Sequence, residues 1–193
     1  MADKKTLRDA FVDELYDVYD AEKQVSKALP KMVKAAGSAQ LREAFESHLK
    51  ETHGQIERLE RVFESIEEGA RGKHCAGMAG ILEEGQDILS GEFEDGALDA
   101  CLVAAAQRVE HYEMAAYGTL VAWARAIDHN DAAELLEASL DEEKAADLKL
   151  SKLAKEGINE SAVETAQSED DRSATPKATK LGNGRTMRAR THD

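Results

Sequence analysis

Apolar positions recur with a helical period along most of the chain. Between residues 5 and 35, Phe11, Leu15, Val18, Val25, Leu29 and Val33 share one face, and Glu22 lies among them. Thr6, followed three residues later by Asp9, reads as an N-terminal cap. Pro30 sits inside the pattern and predicts either a kink or a stop and restart. Gly37 and Ser38 read as a helix stop and a new N-cap. A second helix follows over 39–67, with Leu41, Phe45, His48, Thr52, Gln55, Leu59, Val62 and Ile66 along one side and Glu51 bordering that stripe. The glycines of 69–77 predict a loop, and Met78, Ile81, Leu82, Ile88 and Leu89 a short helix over 78–90. A third long helix spans 95–127. After a turn at 128–131, a fourth runs over 131–156 with Leu136, Leu140, Glu143, Asp147, Leu150 and Ala154 on one face, ended by Gly157. The fold expected is all-α: a four-helix bundle with a long crossover, containing a short extra helix, between helices two and three.

The third long helix has the most informative face. At ~100° per residue, Val103, Ala106, Met114, Tyr117 and Val121 fall within about 40° of Glu110, and Leu102, Val109 and Leu120 lie beyond Glu113. Two carboxylates spaced i, i+3 thus sit inside an apolar arc. Burying an ionised carboxylate without a partner costs several kcal/mol, so something cationic is expected to meet this face.

The two halves of the chain repeat the theme. Glu22 and Glu110 each stand in the apolar face of the first helix of a hairpin. Glu51 with Gln55, and Glu143 with Asp147, stand on the second helices. Inward oxygen ligands from four helices are how a bundle builds a two-metal carboxylate site, and i, i+3 or i+4 spacing puts two of them on one helix face. Two divalent cations ~3.5–4 Å apart would balance much of the charge of Glu22, Glu51, Glu110, Glu113, Glu143 and Asp147. Carboxylate and amide oxygens suit iron or manganese over zinc or copper. For any single glutamate, the plainer reading is a boundary residue that reaches water. The argument rests on four helices repeating the placement. His48, on the stripe of helix two, reads as a core or supporting histidine before a ligand, and Tyr19 and Tyr117 as core residues whose hydroxyls could orient carboxylates. Cys75, in its glycine-rich loop, reads as an inert thiol before a redox-active one.

Composition and charge narrow the class. The chain has 193 residues, two prolines and 5% aromatics, which favours helix over strand. No apolar run approaches a membrane span, the N-terminus carries no signal-like apolar region, and two cysteines make no disulfide framework, so a cytoplasmic protein is expected. The net charge is −14. Residues 172–193 hold six basic side chains and one acidic, a segment of +5 that leaves −19 on residues 1–171. Such an acidic body attracts metal cations and does not bind nucleic acid by itself. From about Ser161 the sequence is Ser-, Thr-, Ala- and charge-rich. The expected division is therefore a bundle over 1–160 and a disordered basic tail over 161–193. For the tail, a solubilising extension is the plainer reading; weak, salt-sensitive contact with DNA phosphates or an acidic partner is the sharper one.

Several segments carry a resemblance. Asp20–Gln24 with Lys27–Lys31, His48–Glu57, Ala104–Leu120, and Asp141–Lys144 with Asp147–Leu150 resemble the YciE/YciF family of bacterial stress-induced, ferritin-like proteins. The resemblance spans roughly residues 5–157 and draws on all four helices in order. It implies a ferritin-like bundle, a homodimer, and a di-iron site akin to that of rubrerythrins, with two iron ions per subunit held at Glu22, Glu51, Glu110, Glu113 and Glu143. The chain departs from the widespread Glu-x-x-His pattern of helices two and four. Positions 54 and 146 are Gly and Ala, which leaves Gln55 and Asp147 as the available substitutes. Three functions follow as expectations: oxidation of Fe(II) by peroxide or O₂ (ferroxidase- or peroxidase-like), non-catalytic binding of iron or manganese in a stress or structural protein, or a scaffold whose basic tail is the working part.

Overall fold

The computed structural model describes residues 4–164, so the basic segment 172–193 and most of the expected tail lie outside the described residues. Among the described residues the main α-helices follow in order: α1 (Leu7–Ala35), α2 (Ala39–Ser65), α3 (Ala76–Ser90), α4 (Asp95–Ala126) and α5 (Asn130–Leu153). Among the described residues there is no strand.

The local signals act where the sequence places them. Thr6 and Asp9 close a reciprocal capping box: the Asp9 amide donates to Thr6 Oγ1 at 3.2 Å and the Thr6 amide to Asp9 Oδ2 at 2.7 Å. Ser38 caps α2. Pro30 neither stops nor restarts α1, which runs through it as one helix. The turn between α1 and α2 is held to α4 by Asp99, whose buried carboxylate accepts the amides of Gly37 at 2.8 Å and Ser38 at 2.7 Å. At the other end of the chain, Gly157 breaks α5 as its position suggests, with φ of +154°. The backbone winds through a wide turn at Ala154–Ile158 and then stays helical over 159–164, past the boundary expected at 160.

The apolar core comes in two halves. One gathers Phe11 and Leu15 from the start of α1, Leu59 and Phe63 from the end of α2, Leu120 and Ala124 from the end of α4, and Leu136 from the start of α5. The other gathers Val25 and Leu29, Leu41 and Phe45, Leu102 and Val103, and Leu150 from the opposite ends of the same helices. The pairing fixes directions: α1 runs parallel to α5 and α2 to α4, and each hairpin is antiparallel. Because α2 ends in one half and α4 begins in the other, residues 66–94 must travel the length of the bundle, and α3 packs on α1 and α4 as they do so. The crossover is pinned to α1, with the Lys73 amide donating to the Tyr16 carbonyl at 3.0 Å and the Cys75 amide to Asp20 Oδ2 at 2.9 Å. Between the two apolar halves lies a buried polar layer.

Candidate metal centre

That layer is built from one or two residues of each long helix: Glu22 of α1, His48 and Gln55 of α2, Glu110 and Glu113 of α4, and Glu143 of α5. All six are buried. One ligand atom from each of His48, Glu110, Glu113 and Glu143 lies within 4.8 Å of the others. Helix periodicity explains the convergence. Glu110 and Glu113 are one turn apart on α4 and point inward together, and Glu22 and Glu143 occupy core positions midway along their helices.

The hydrogen bonding is incomplete in a telling way. Tyr117 Oη donates to Glu22 Oε1 at 2.5 Å, and Gln55 Nε2 donates to Glu143 Oε1. His48 Nε2 stands 3.4 Å from Glu110 Oε1 and its Nδ1 3.6 Å from Glu51 Oε2. Beyond these, Oε2 of Glu22, Glu110 and Glu143, both oxygens of Glu113, both nitrogens of His48 and Oε1 of Gln55 make no hydrogen bond. Among the described residues, every buried side-chain N or O atom without a partner belongs to this layer. Buried polar groups are ordinarily satisfied, so a cluster of orphans turned toward one another is a group that could hold a metal ion. Burial, before the mutual repulsion of the carboxylates, pushes the carboxyls of Glu22, Glu110 and Glu113 well above their usual range. Tyr117 is likewise pushed up by burial and by the Glu22 charge, so it stays a phenol and donor.

A cation is expected to meet the α4 face; among the described residues, no Lys or Arg pairs with the four buried carboxylates. The Arg58 guanidinium is engaged by Glu142 at 2.7 and 3.0 Å and by Ser139 Oγ at 2.7 Å. An oxygen-rich set with one imidazole, buried and short of partners, could hold a metal ion.

Not every predicted residue reaches the layer. Glu51 lies on the outer side of His48 with its side chain 40% exposed, where the His48 imidazole and then the Ser47 hydroxyl hold its carboxyl below the usual range. Asp147 is turned toward α4, where its Oδ1 accepts from Gln107 Nε2 at 2.9 Å and stands 3.4 Å from the exposed His111. Tyr19 donates to Glu60 at 2.7 Å and packs on Phe63, away from the centre. Tyr117 is in place beside Glu22. In turn, His48 stands among the carboxylates themselves, in a ligand's position rather than the supporting one its sequence suggests. The signal was present: His48, Thr52 and Gln55 belong to the apolar stripe of α2, whereas Glu51 only borders it. Thr52, buried between them, spends its hydroxyl on the His48 carbonyl at 2.9 Å. The Glu-x-x-His register therefore does not apply to α2, and a Cβ at Gly54 would meet open space. Cys75 is buried with Sγ 3.0 Å from Tyr112 Oη, and burial pushes its thiol up, which keeps it protonated and unreactive.

Comparison with known proteins agrees with this architecture. The chain is 44% identical to Protein YciF of Escherichia coli over 164 residues, covering 84% of this chain and 98% of that protein. The crystal structure of that E. coli stress protein superposes with a TM-score of 0.78, covering 81% of this chain and 99% of the other. YcfI of Rhodopseudomonas palustris gives a TM-score of 0.74 at 42% identity over 78% of this chain and 96% of its own. A protein of Xanthomonas campestris, 23% identical with a TM-score of 0.66, shares the fold over 83% of this chain and 98% of its own. With its four long helices, long crossover and matching relatives, the chain belongs to the family described as Domain of unknown function (DUF892), which it matches over residues 6–163.

Proposed function

We propose that the buried layer holds two iron ions per chain and that the protein oxidises Fe(II) with peroxide or O₂ as part of a stress response. The observation that carries this is the set of unpartnered buried atoms on Glu22, His48, Gln55, Glu110, Glu113 and Glu143. Four carboxylates match the charge of two divalent cations, and burial makes an uncompensated version costly. Glu22, Glu110, Glu113, Glu143 and His48 are the ligands in this reading; Tyr117 and Gln55 orient Glu22 and Glu143 by donating to one oxygen of each, leaving the other oxygen free. Burial raises the carboxyls of Glu22, Glu110 and Glu113, so protons and metal compete for them and metal affinity should fall as the pH falls. Bound iron would supply the electrons: two Fe(II), one hydrogen peroxide and two protons give two Fe(III) and two waters. The naming of the E. coli relative as a stress protein supports the physiological setting.

The test is anaerobic loading of the full chain with Fe(II), followed by peroxide or O₂ with the optical spectrum recorded. About two Fe(II) per chain and a ferric absorption that grows with oxidant are expected. Metal bound without oxidation would leave a protein that holds iron or manganese without turnover. No bound metal would remove the centre.

A further inference from the structure

The buried layer has one wall that is thin. Between α2 and α5 a cavity of about 140 Å³ reaches inward to His48 and Glu110. Its sides are apolar and mostly small: Ala44, Phe45, Ala145, Ala146 and Leu150. Its outer rim carries Glu51, Glu142 and Lys149. His48 and Glu110 are 5% and 2% exposed, and both His48 nitrogens are without a hydrogen bond, so the floor consists of two buried groups with unspent polar capacity.

The cavity exists because of what α5 lacks. Ala146 is one turn after Glu143, where a long side chain would lie across the gap toward α2. Alanine leaves that volume empty, and Ala145 and Ala44 do not replace it. The rim carboxylates are engaged by neighbours: Glu142 by Arg58 at 2.7 Å, and Glu51 by Ser47 at 3.1 Å, beside His48. A small cavity with mostly apolar walls admits a small uncharged molecule more readily than a hydrated cation, which would have to leave its water at the rim.

We infer that the α2–α5 cleft is the port through which a small uncharged oxidant, O₂ or hydrogen peroxide, reaches the centre, and that Ala146 sets its bore. The chemistry at the end of the port rests on the function proposed above; the port itself is a property of the metal-free chain. Leucine at 146 fills the cleft from a partly exposed site while remaining a good helix former. Serine at 146 keeps the small size and controls for the substitution itself.

Two measurements test the port on the full-length chain. The first uses metal-free protein under dissolved O₂ and reads the paramagnetic relaxation of the His48 imidazole protons and the Ala44 methyl by NMR, against the Leu59 and Leu136 methyls of the sealed core. Expected is a several-fold larger effect at His48 and Ala44 than at the leucines, abolished in Ala146→Leu and kept in Ala146→Ser. The second mixes anaerobically Fe(II)-loaded protein with hydrogen peroxide. Oxidation should slow by at least about tenfold in Ala146→Leu, with Fe(II) stoichiometry unchanged and Ala146→Ser like the parent. His48 relaxation no greater than that of the core leucines, or equal oxidation rates in parent and Ala146→Leu, would overturn the port. A chain that binds no Fe(II) would overturn the proposed function alone, because the relaxation measurement still decides whether the cleft is open.

Discussion

Stripped of metal, the protein should become more stable as the pH falls from about 7.5 to about 5.5. Burial holds the carboxyls of Glu22, Glu110 and Glu113 well above their ordinary value of 4.5. Between that value and the raised one, the native chain keeps a proton that the unfolded chain has lost. The stability contributed by these groups is therefore fully present below about 4.5 and is lost as the pH rises through the folded values. Each such proton amounts to roughly 1.4 kcal/mol per pH unit. The three carboxyls neighbour one another and Glu143, so their protons leave in shared steps rather than together. A difference of about one proton across this window gives about 1.4 kcal/mol per pH unit, or roughly 3–6 °C in Tm for a chain of this size. Carboxylates with lowered values, such as Asp9, Asp13, Asp20 and Glu51, have the opposite sign. Their stabilisation is lost only as the pH drops below about 4, outside the window. Glu113 is the sharpest probe, because it is 1% exposed and neither oxygen has a partner. Glu113→Gln should raise the Tm of the metal-free protein at neutral pH by a few degrees and flatten its pH dependence. The assay is calorimetric or circular-dichroism melting of chelated, metal-verified protein across that pH range. A Tm that is flat or rises with pH, or a Glu113→Gln variant that melts below the parent at neutral pH, would refute the reasoning.

Other outcomes follow from the same geometry. Glu110→Ala should lose at least one metal ion per chain by elemental analysis, and full occupancy would take Glu110 out of the centre. Gln55→Ala frees Glu143 from its donor and should weaken metal binding by ~10–100-fold in a competition titration. Gly54→His should alter neither affinity nor optical spectrum, since position 54 faces open space; a new absorption band would mean that α2 is turned differently. Ending the chain after Asp171 should leave metal content unchanged and abolish any DNA retardation seen at ~50 mM salt, while equal retardation by both chains would exclude the basic segment as the contact.

Much of this was legible in the order of residues. The period of apolar positions marked every helix, because a helix that must bury one face writes that face into the sequence. Thr6, Ser38 and Gly157 marked ends because capping and a left-handed backbone are local demands. Glu22, Glu110, Glu113 and Glu143 could be singled out because a carboxylate inside an apolar arc stands out within one turn on either side. What the sequence could not decide is which residues near the edge of a stripe turn inward. At ~100° per residue, Glu51 lies about 70° from the centre of its stripe, at its border, whereas Asp147 lies only about 20° from the centre of its own, so angle alone does not place Asp147. Packing against the neighbouring helix determines whether such a side chain enters the core or reaches water. Tertiary packing turned Glu51 outward behind His48 and gave Asp147 to Gln107, while His48 and Gln55, which the sequence already places on the stripe of α2, stand in among the carboxylates. It also made a cleft of Ala146, since an alanine becomes an opening only when the facing helix leaves the space beside it unfilled.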